Sequence, residues 1–530
     1  MRFFRILTLV AMLVSATVVG GCKEDKPEQE VVLSTISFDI ERFAVEAAAG
    51  EYAIGYTIEN EVQGAELNAK TSGDWIESVE VSDDSVTISV TQNEAREPRF
   101  AEIELNYAGT RFALHVEQYE SSRRYDLFAM YNDADIPYRI PSIAVTQDGT
   151  LLCVADYRHS RTDIGVTPYG RIDLHINRSY DNGITWEGVT TLINGKGEES
   201  EDFMHVGFGD PCIVADRESN RVLMMSCAGN VSYQNGTRDN HQCIARFYSE
   251  DGGRTWSEPE DIAESIYSQF DDCAYGPVKS MFVASGKIHQ SRHVKVGEYW
   301  RLYCAVLVRN KSGVAMNYAL YSDDFGGSWK VVGNLLDPPV LNSADEPKIE
   351  ELPNGNLLIS SRWQGGRYYN IFEFTDIENV KGTWYGQIFS GLGNDGVCAE
   401  DNSTNGEVLL IPAVRKSDGQ RVDVLLQSVP LGPGRSNVGI YYKALSSAAD
   451  YDRPSVVAAN WEGVYQVTEL NSAYSTMVLQ HDLRIGFLWE DTTYCSGGGG
   501  YGGYTIAYEC FPLERITDGK YMVAADAIGR

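Results

Sequence analysis

Three observations in the sequence predict an all-β chain, a six-bladed β-propeller preceded by a small β-sandwich. The first is a repeated turn. Ser179-x-Asp181-x-Gly183-x-Thr185-Trp186 recurs as Ser249-x-Asp251-x-Gly253-x-Thr255-Trp256 and as Ser322-x-Asp324-x-Gly326-x-Ser328-Trp329. From Asp181 to Asp251 is 70 residues and from Asp251 to Asp324 is 73, the near-constant period of a repeat architecture. The second is a unit of three short apolar strands, met six times between residue 125 and the C-terminus. The third is the lack of any helix-length run with a 3.6-residue apolar period. Six antiparallel sheets closed in a ring leave only short, protected edges and one axial site. In the repeated turns, Ser and Asp side chains suit the turn backbone, Gly a special dihedral, and Trp a place between sheets. These turns are therefore expected to be structural.

Residues 1–21, MRFFRILTLVAMLVSATVVGG, combine two early Arg with an apolar run of signal-peptide length. Val19-Gly20-Gly21-Cys22 resembles a bacterial lipobox, which implies cleavage before Cys22, lipidation of its sulfur and an outer-membrane lipoprotein facing the periplasm or the cell surface. Residues 22–33 are charged and Pro-containing, a solvated tether. Residues 34–119 read as short alternating strands, among them VTISVTQN, FAEIELNYA and RFALHVEQY. With Asp74-Trp75-Ile76, Asn93, Arg99 and Val116-x-Gln118, this unit resembles a BACON domain. The resemblance implies glycan or mucin binding, and a spacer role is the alternative. Residues 125–530 carry the six repeats. The fourth has only Gly382-Thr383-Trp384 where the turn should stand, and the run from Tyr494 to Tyr504 is too Gly-rich for a strand interior.

The formal charge is −31, from 44 Lys and Arg against 75 Asp and Glu. That balance excludes nucleic acid as a partner, since phosphate binding needs basic patches. It also means that an anionic substrate needs a local cluster of Arg. Of the ten Cys, nine remain besides Cys22, and several of these sit in apolar strand-like runs as small buried hydrophobes; none has zinc-ligand spacing. No metal and no cofactor is expected.

The Tyr138-Arg139-Ile140-Pro141 segment, the three Asp-box turns and the six repeats together resemble the sialidase (neuraminidase) superfamily, in particular bacterial retaining exo-α-sialidases of glycoside hydrolase family 33. The resemblance spans residues 125–530 and implies a sialidase-type propeller acting on terminal sialic acid of host-type glycans or mucins. It implies an arginine triad of Arg139, Arg362 and Arg435, with Arg421 competing for the third place. A planar guanidinium bonds a carboxylate with two parallel donors and keeps its charge beside other cations, which Lys does not. It implies Asp163 as general acid, with Asp156 and Asp173 as neighbouring carboxylates, and a pKa raised by burial under the bound sugar. Tyr474, in Ala473-Tyr474-Ser475, matches the nucleophile, and Glu346 the carboxylate that activates it. Glu350 and Glu351 are expected to face solvent or cap turns. Glu490 is expected to steer the triad. Arg158 and Asp210 are assigned to substrate binding by motif neighbourhood, with a structural ion pair as the alternative.

A tyrosine nucleophile has a chemical reason. Sialic acid carries a carboxylate on its anomeric carbon, which repels an anionic nucleophile, whereas a neutral phenol deprotonated during attack avoids that repulsion. The other readings are a non-catalytic sialoglycan-binding propeller, a protein-interaction hub, and an enzyme preferring a related nonulosonic acid or transfer over hydrolysis. A binder has no need of Asp163, Glu346 and Tyr474 together.

Overall fold

The computed structural model describes residues 34–38, 43–45, 47, 49–93, 95, 98–119, 124–129, 137–493 and 504–529. The signal segment, Cys22, the tether and residues 494–503 of the Gly-rich run lie outside the described residues.

The period-2 segments of the N-terminal unit are strands that bury alternate side chains. Along Ser85–Val90, for example, Val86, Ile88 and Val90 point inward. Two four-stranded sheets result. One orders Thr35–Phe38, Gly50–Glu59, Ser85–Val90 and Ile76–Val81; the other orders Phe43–Val45, Thr110–Gln118, Arg99–Tyr107 and Asn68–Thr71. They share a core of Ile54, Ile88, Ile103, Leu105 and Val116. The motif residues brace this sandwich. The Arg99 guanidinium stacks on Trp75 at 4.8 Å, and its Nε donates to Gln118 Oε1 at 2.7 Å.

From residue 125 onward six sheets follow one another, and the three inner strands of each, which pair antiparallel, coincide with one of the six sequence units. Sheet I holds Tyr138–Val145, Leu151–Arg158 and Ile172–Ser179, and sheet II holds Phe208–Ala215, Val222–Ala228 and Cys243–Ser249. Sheet III holds Ser280–Val283, Tyr299–Arg309 and Ala315–Ser322, and sheet IV holds Pro347–Glu351, Leu357–Trp363 and Gly365–Asp376. Sheet V holds Val408–Arg415, Arg421–Pro430 and Val438–Leu445, and sheet VI holds Ser472–Leu479, Ile485–Asp491 and Thr505–Phe511. The first strand of sheet I adjoins the first strands of both sheet II and sheet VI, so the ring closes. Sheet VI takes its outer strand, Tyr125–Phe128, from the start of the propeller segment. This protects the edge of the last sheet and locks the ring.

The three Asp boxes have one geometry. Ser179 Oγ donates to Asp181 Oδ1 at 2.8 Å and accepts from Gly183 N at 2.8 Å, while Asp181 accepts from Thr185 N at 2.8 Å and Thr185 Oγ1 at 2.6 Å. The boxes at 249–255 and 322–328 repeat these bonds. Gly is required twice over. Gly253 and Gly326 have φ of 83° and 82°, and a Cβ on them would collide with Leu152 and Leu223 of the preceding sheet. Arg178 and Arg246 of that preceding sheet also donate to Gly253 O and Gly326 O, at 2.9 and 2.7 Å. Each box is thus a clasp between sheets. In sheet IV, Gly382-Thr383-Trp384 belongs to the strand Lys381–Trp384 rather than to a turn.

Glu350 and Glu351 do not face solvent; both are buried. Glu350 accepts from Lys287 Nζ at 2.7 Å and Arg292 Nη2 at 3.0 Å, and pairs with His289 Nδ1 at 3.1 Å. Burial pushes this carboxyl up, but Lys287, His289 and Arg292 outweigh it and hold it at about 2. A depressed carboxylate stabilises the fold above its unfolded pKa and loses that contribution as pH falls through the folded value. Glu350→Gln is expected to lower stability by about 3–5 kcal/mol in urea denaturation at pH 7. The gap to the parent should close between about pH 4 and the folded value of about 2.

Candidate active site

The residues singled out by the sequence stand at the start of a first strand, at the end of a second strand, or in the loop between second and third strands. Antiparallel pairing brings all of these to one end of the ring. Arg139, Glu346 and Tyr474 come from first strands or their entrances, Arg362 from the end of a second strand, and Asp163 and Arg435 from the following loops. The Asp boxes follow third strands and lie at the opposite end.

Three first strands are irregular where they carry these side chains. Pairing shifts register between Arg139 and Ser142, between Gly209 and Cys212, and between Ser472 and Ser475. Ile140 and Asp210 adopt φ of 56° and 54°, which is costly for a β-branched residue. Such bulges re-aim side chains that regular alternation would send between sheets.

The result is a pocket of about 350 Å³ lined by Arg139, Asp163, Asp210, Glu346, Arg362, Arg435 and Tyr474, among others. Tyr474 OH donates to Glu346 Oε1, and Arg362 Nη1 reaches both Glu346 Oε2 and Tyr474 OH at 3.0 Å. Burial first, and then Glu346, push the Tyr474 phenol well above its ordinary value. The phenol is therefore neutral at rest and beside a base. Beneath it, the fully buried Glu490 accepts from Arg139 Nε at 2.8 Å, Ile140 N at 2.7 Å and Tyr474 N at 3.0 Å. One carboxylate thus fixes an arginine and the backbone of the tyrosine. The Arg435 side chain makes no hydrogen bond or close ion pair among the described residues, though its charge acts on Asp163, and its carbonyl accepts from Ser472 N at 2.9 Å, two residues before Tyr474. Arg421 pairs with Asp526 and does not line the pocket. Three guanidinium groups facing one cavity answer the electrostatic difficulty posed by the net charge.

Arg158, assigned to substrate binding with a structural ion pair as the alternative, does not line the pocket and is an ion-paired residue. Its fork is taken up by Asp156 Oδ2 at 2.7 Å, by Asp163 Oδ1, and by Asp210 Oδ1 at 3.6 Å. Burial pushes Asp156 up to about 6, against the pull of Arg158, and burial together with Asp156 pushes Asp210 well above the carboxylate range. Asp163 departs from expectation in the other direction. Its side chain is 68% exposed at the pocket rim, and the Arg158 charge holds its carboxyl below the ordinary value. Asp156 is buried behind Arg158, and Asp173 bonds His159 and Arg171 away from the pocket, so of these three carboxylates only Asp163 lines it.

Sequence reasoning missed Asp345, Tyr233 and Gln242. Asp345 Oδ1 accepts from Glu346 N at 2.9 Å, and its Oδ2 lies 3.5 Å from Arg362 Nε. Its signal was adjacency to Glu346. Tyr233 OH and Gln242 Oε1 are buried, line the pocket and have no hydrogen-bond partner among the described residues, which marks them as groups awaiting a polar ligand. They come from the long loop 229–242, whose length on the site face was the available signal. Phe282, Leu307 and Ala315 add an apolar side to the pocket and read in sequence as ordinary core.

A family model for the BNR/Asp-box repeat matches residues 247–258, the second of the three turns. A sialidase of Paraclostridium sordellii is 23% identical over 316 residues, which cover 57% of this chain and 70% of that protein. Among solved structures, the Hadza microbial sialidase Hz136 superposes with a TM-score of 0.57 at 19% identity, covering 82% of this chain and 77% of its own. The intramolecular trans-sialidase from Ruminococcus gnavus, solved with oseltamivir carboxylate, gives 0.54 at 17% identity, over 72% of this chain and 95% of its own. These likenesses establish a sialidase-type all-β fold.

Proposed function

We propose that this chain is a retaining exo-α-sialidase releasing terminal α-ketosidically linked sialic acid from glycoproteins, glycolipids or oligosaccharides. The observation that carries the reading is a neutral tyrosine, Tyr474, bonded to Glu346 and Arg362 in a pocket that also presents Arg139 and Arg435. The similarity to proteins named sialidase supports it.

In this reading the three arginines clamp the substrate carboxylate, which sets the anomeric carbon against Tyr474 Oη. Asp163 gives its proton to the leaving-group oxygen as the glycosidic bond breaks. Tyr474 Oη bonds the anomeric carbon while its proton passes to Glu346. Asp163, now a carboxylate, takes a proton from water, whose oxygen displaces Tyr474 Oη, and Glu346 returns the phenolic proton. Two inversions give an α-configured product. A bound sugar covering Asp163 would raise a pKa that Arg158 holds down in the free protein.

Two measurements test this. Hydrolysis of an aryl α-sialoside, with the first-formed anomer followed by proton NMR, should show α-sialic acid. No turnover by a folded protein that still binds sialic acid would favour the non-catalytic reading. A neighbour named as an intramolecular trans-sialidase gives a second reading, transfer within the substrate. Its product would be an anhydro sugar instead of free sialic acid in the same NMR experiment.

Asp163 acts as an acid only while protonated, so kcat/KM falls as pH rises through its pKa. Arg158→Gln removes the charge that holds that pKa down. The alkaline limb of the kcat/KM profile is therefore expected to move to higher pH, with near-UV circular dichroism confirming the fold. A limb that stays in place belongs to another group.

A further inference from the structure

The loop 159–171 separates two cavities on the site face. Its inner side gives Asp163 and Ile164 to the pocket. Its outer side gives Ser160 and residues 167–171 to a second cleft of about 880 Å³, whose other wall is residues 194–199. Nothing in the mechanism above uses this cleft.

The cleft has a built frame. Asp173, only 3% exposed at its side chain, pairs with His159 Nε2 at 2.8 Å and accepts from Arg171 Nε and Gly195 N, each at 2.9 Å. One buried carboxylate thus ties the floor to both walls. Gly195 has no room for a side chain, since a Cβ would sit 2.5 Å from Ile172 O and 2.8 Å from Val206 O. On this frame stands Tyr169, 55% exposed and outside every aromatic contact among the described residues. Opposite it, the Lys196 and Glu198 side chains have no partner among the described residues, and Asn194 and Thr167 add amide and hydroxyl groups. An open aromatic face beside unspent donors and acceptors suits a pyranose ring, which has an apolar face and an equatorial belt of hydroxyls. Glu198 and Glu199 offset Lys196, and Arg171 is neutralised by Asp173, so the cleft has no cationic excess to draw an anionic sugar.

Position supplies the connection. In the mechanism proposed above, Asp163 bonds the oxygen that links the released sugar to the rest of the glycan. Asp163 is exposed on the loop that walls the cleft, so a glycan chain leaving the pocket past it crosses toward Tyr169. We propose that the cleft between loops 159–171 and 194–199 is an aglycone subsite, which takes neutral hexose or N-acetylhexosamine units beneath the terminal sialic acid. This rests on the sialidase reading. It gives the protein a preference for sialic acid on extended oligosaccharides over sialic acid on small leaving groups.

The test compares kcat/KM for a sialylated pentasaccharide and for an aryl sialoside in the parent, Tyr169→Ala and Glu198→Ala. The ratio of the two values should fall about fivefold to tenfold in Tyr169→Ala, the factor that one aromatic contact carries, and less in Glu198→Ala. A ratio unchanged in both variants overturns the proposal. Saturation-transfer NMR with the neutral tetrasaccharide that lacks sialic acid separates the two readings. Signal that the parent gives and Tyr169→Ala loses supports a carbohydrate site even if no sialoside is turned over, in which case the activity reading alone fails. No signal from the parent, with an unmoved ratio, refutes the subsite while leaving the activity intact.

Discussion

Tyr474→Phe is expected to retain the fold and lose turnover of an aryl sialoside by at least about 10³-fold, because in the proposed mechanism the deleted oxygen is the atom that bonds the anomeric carbon. The stability change should be small. Glu346 keeps its bond from Arg362 at 3.0 Å, and the ring remains in place over the backbone that Glu490 holds. A loss of about 0.5–1.5 kcal/mol is the usual net value of one hydrogen bond. Glu346→Gln should cost about 10²- to 10⁴-fold in kcat, the range of general-base assistance, since burial still favours the protonated phenol while the carboxylate that would take its proton is gone. The binding step should survive both changes, so sialic acid affinity measured by calorimetry should stay within a few fold of the parent. A 2,3-difluorinated sialic acid should label the parent on the peptide containing Tyr474 and leave Tyr474→Phe unlabelled. Turnover retained by Tyr474→Phe would sink the nucleophile assignment and return attention to the carboxylates of the pocket.

The second large effect is expected at Glu490, which does not itself line the pocket. Its two oxygens satisfy the Arg139 guanidinium and two backbone N–H groups, at Ile140 and Tyr474, in a site with no exposed surface. Glu490→Gln keeps an amide of the same shape but leaves a nearly buried cation without its counter-charge. Breaking one partner out of a buried ion pair costs about 3–5 kcal/mol, and that loss should appear in urea denaturation. Activity should fall with it. Arg139 and Tyr474 lie on two irregular first strands that this one side chain holds together, and a displacement of about 1 Å at a reacting centre can cost 10²-fold. Glu490→Asp restores the charge with a shorter reach. It should recover part of the stability and less of the kcat, a split that loss of packing alone does not predict. Equal recovery of both would identify Glu490 as a stabilising residue only.

The repeat period, the strand units and the turn chemistry are local properties, and they were fully legible. Each Asp box names its own hydrogen bonds, since Ser, Asp and Gly at fixed offsets within eight residues determine one turn. The six strand triplets were legible for the same reason, as apolar runs between turn residues, and all six are strands of successive sheets. Tyr474, Glu346 and the arginines were reachable because they stand in short motifs at strand entrances. Glu350 was misread because a Glu next to a strand end has no local mark of burial. Lys287, His289 and Arg292, which receive it, are about 60 residues away.

By itself the sequence determined that this chain folds as repeated β-sheets, with its candidate chemistry at the strand entrances. Tertiary structure alone decided which charges meet. Arg158, by sequence either a binding residue or an ion pair, is consumed by Asp156, Asp163 and Asp210, and the Asp163 carboxyl is consequently held below its ordinary value instead of raised. Between Arg435 and its competitor Arg421, only Arg435 faces the pocket, because its loop turns toward the axis while Arg421 pairs with Asp526 at the surface. The bulges at Ile140, Asp210 and Tyr474, and the loop that brings Tyr233 and Gln242 to the pocket, depend on contacts across sheets. The physical reason is range. Turn and strand propensities act over a few residues, whereas a pKa or an ion pair is set by whatever charges closure of the ring brings within a few ångströms.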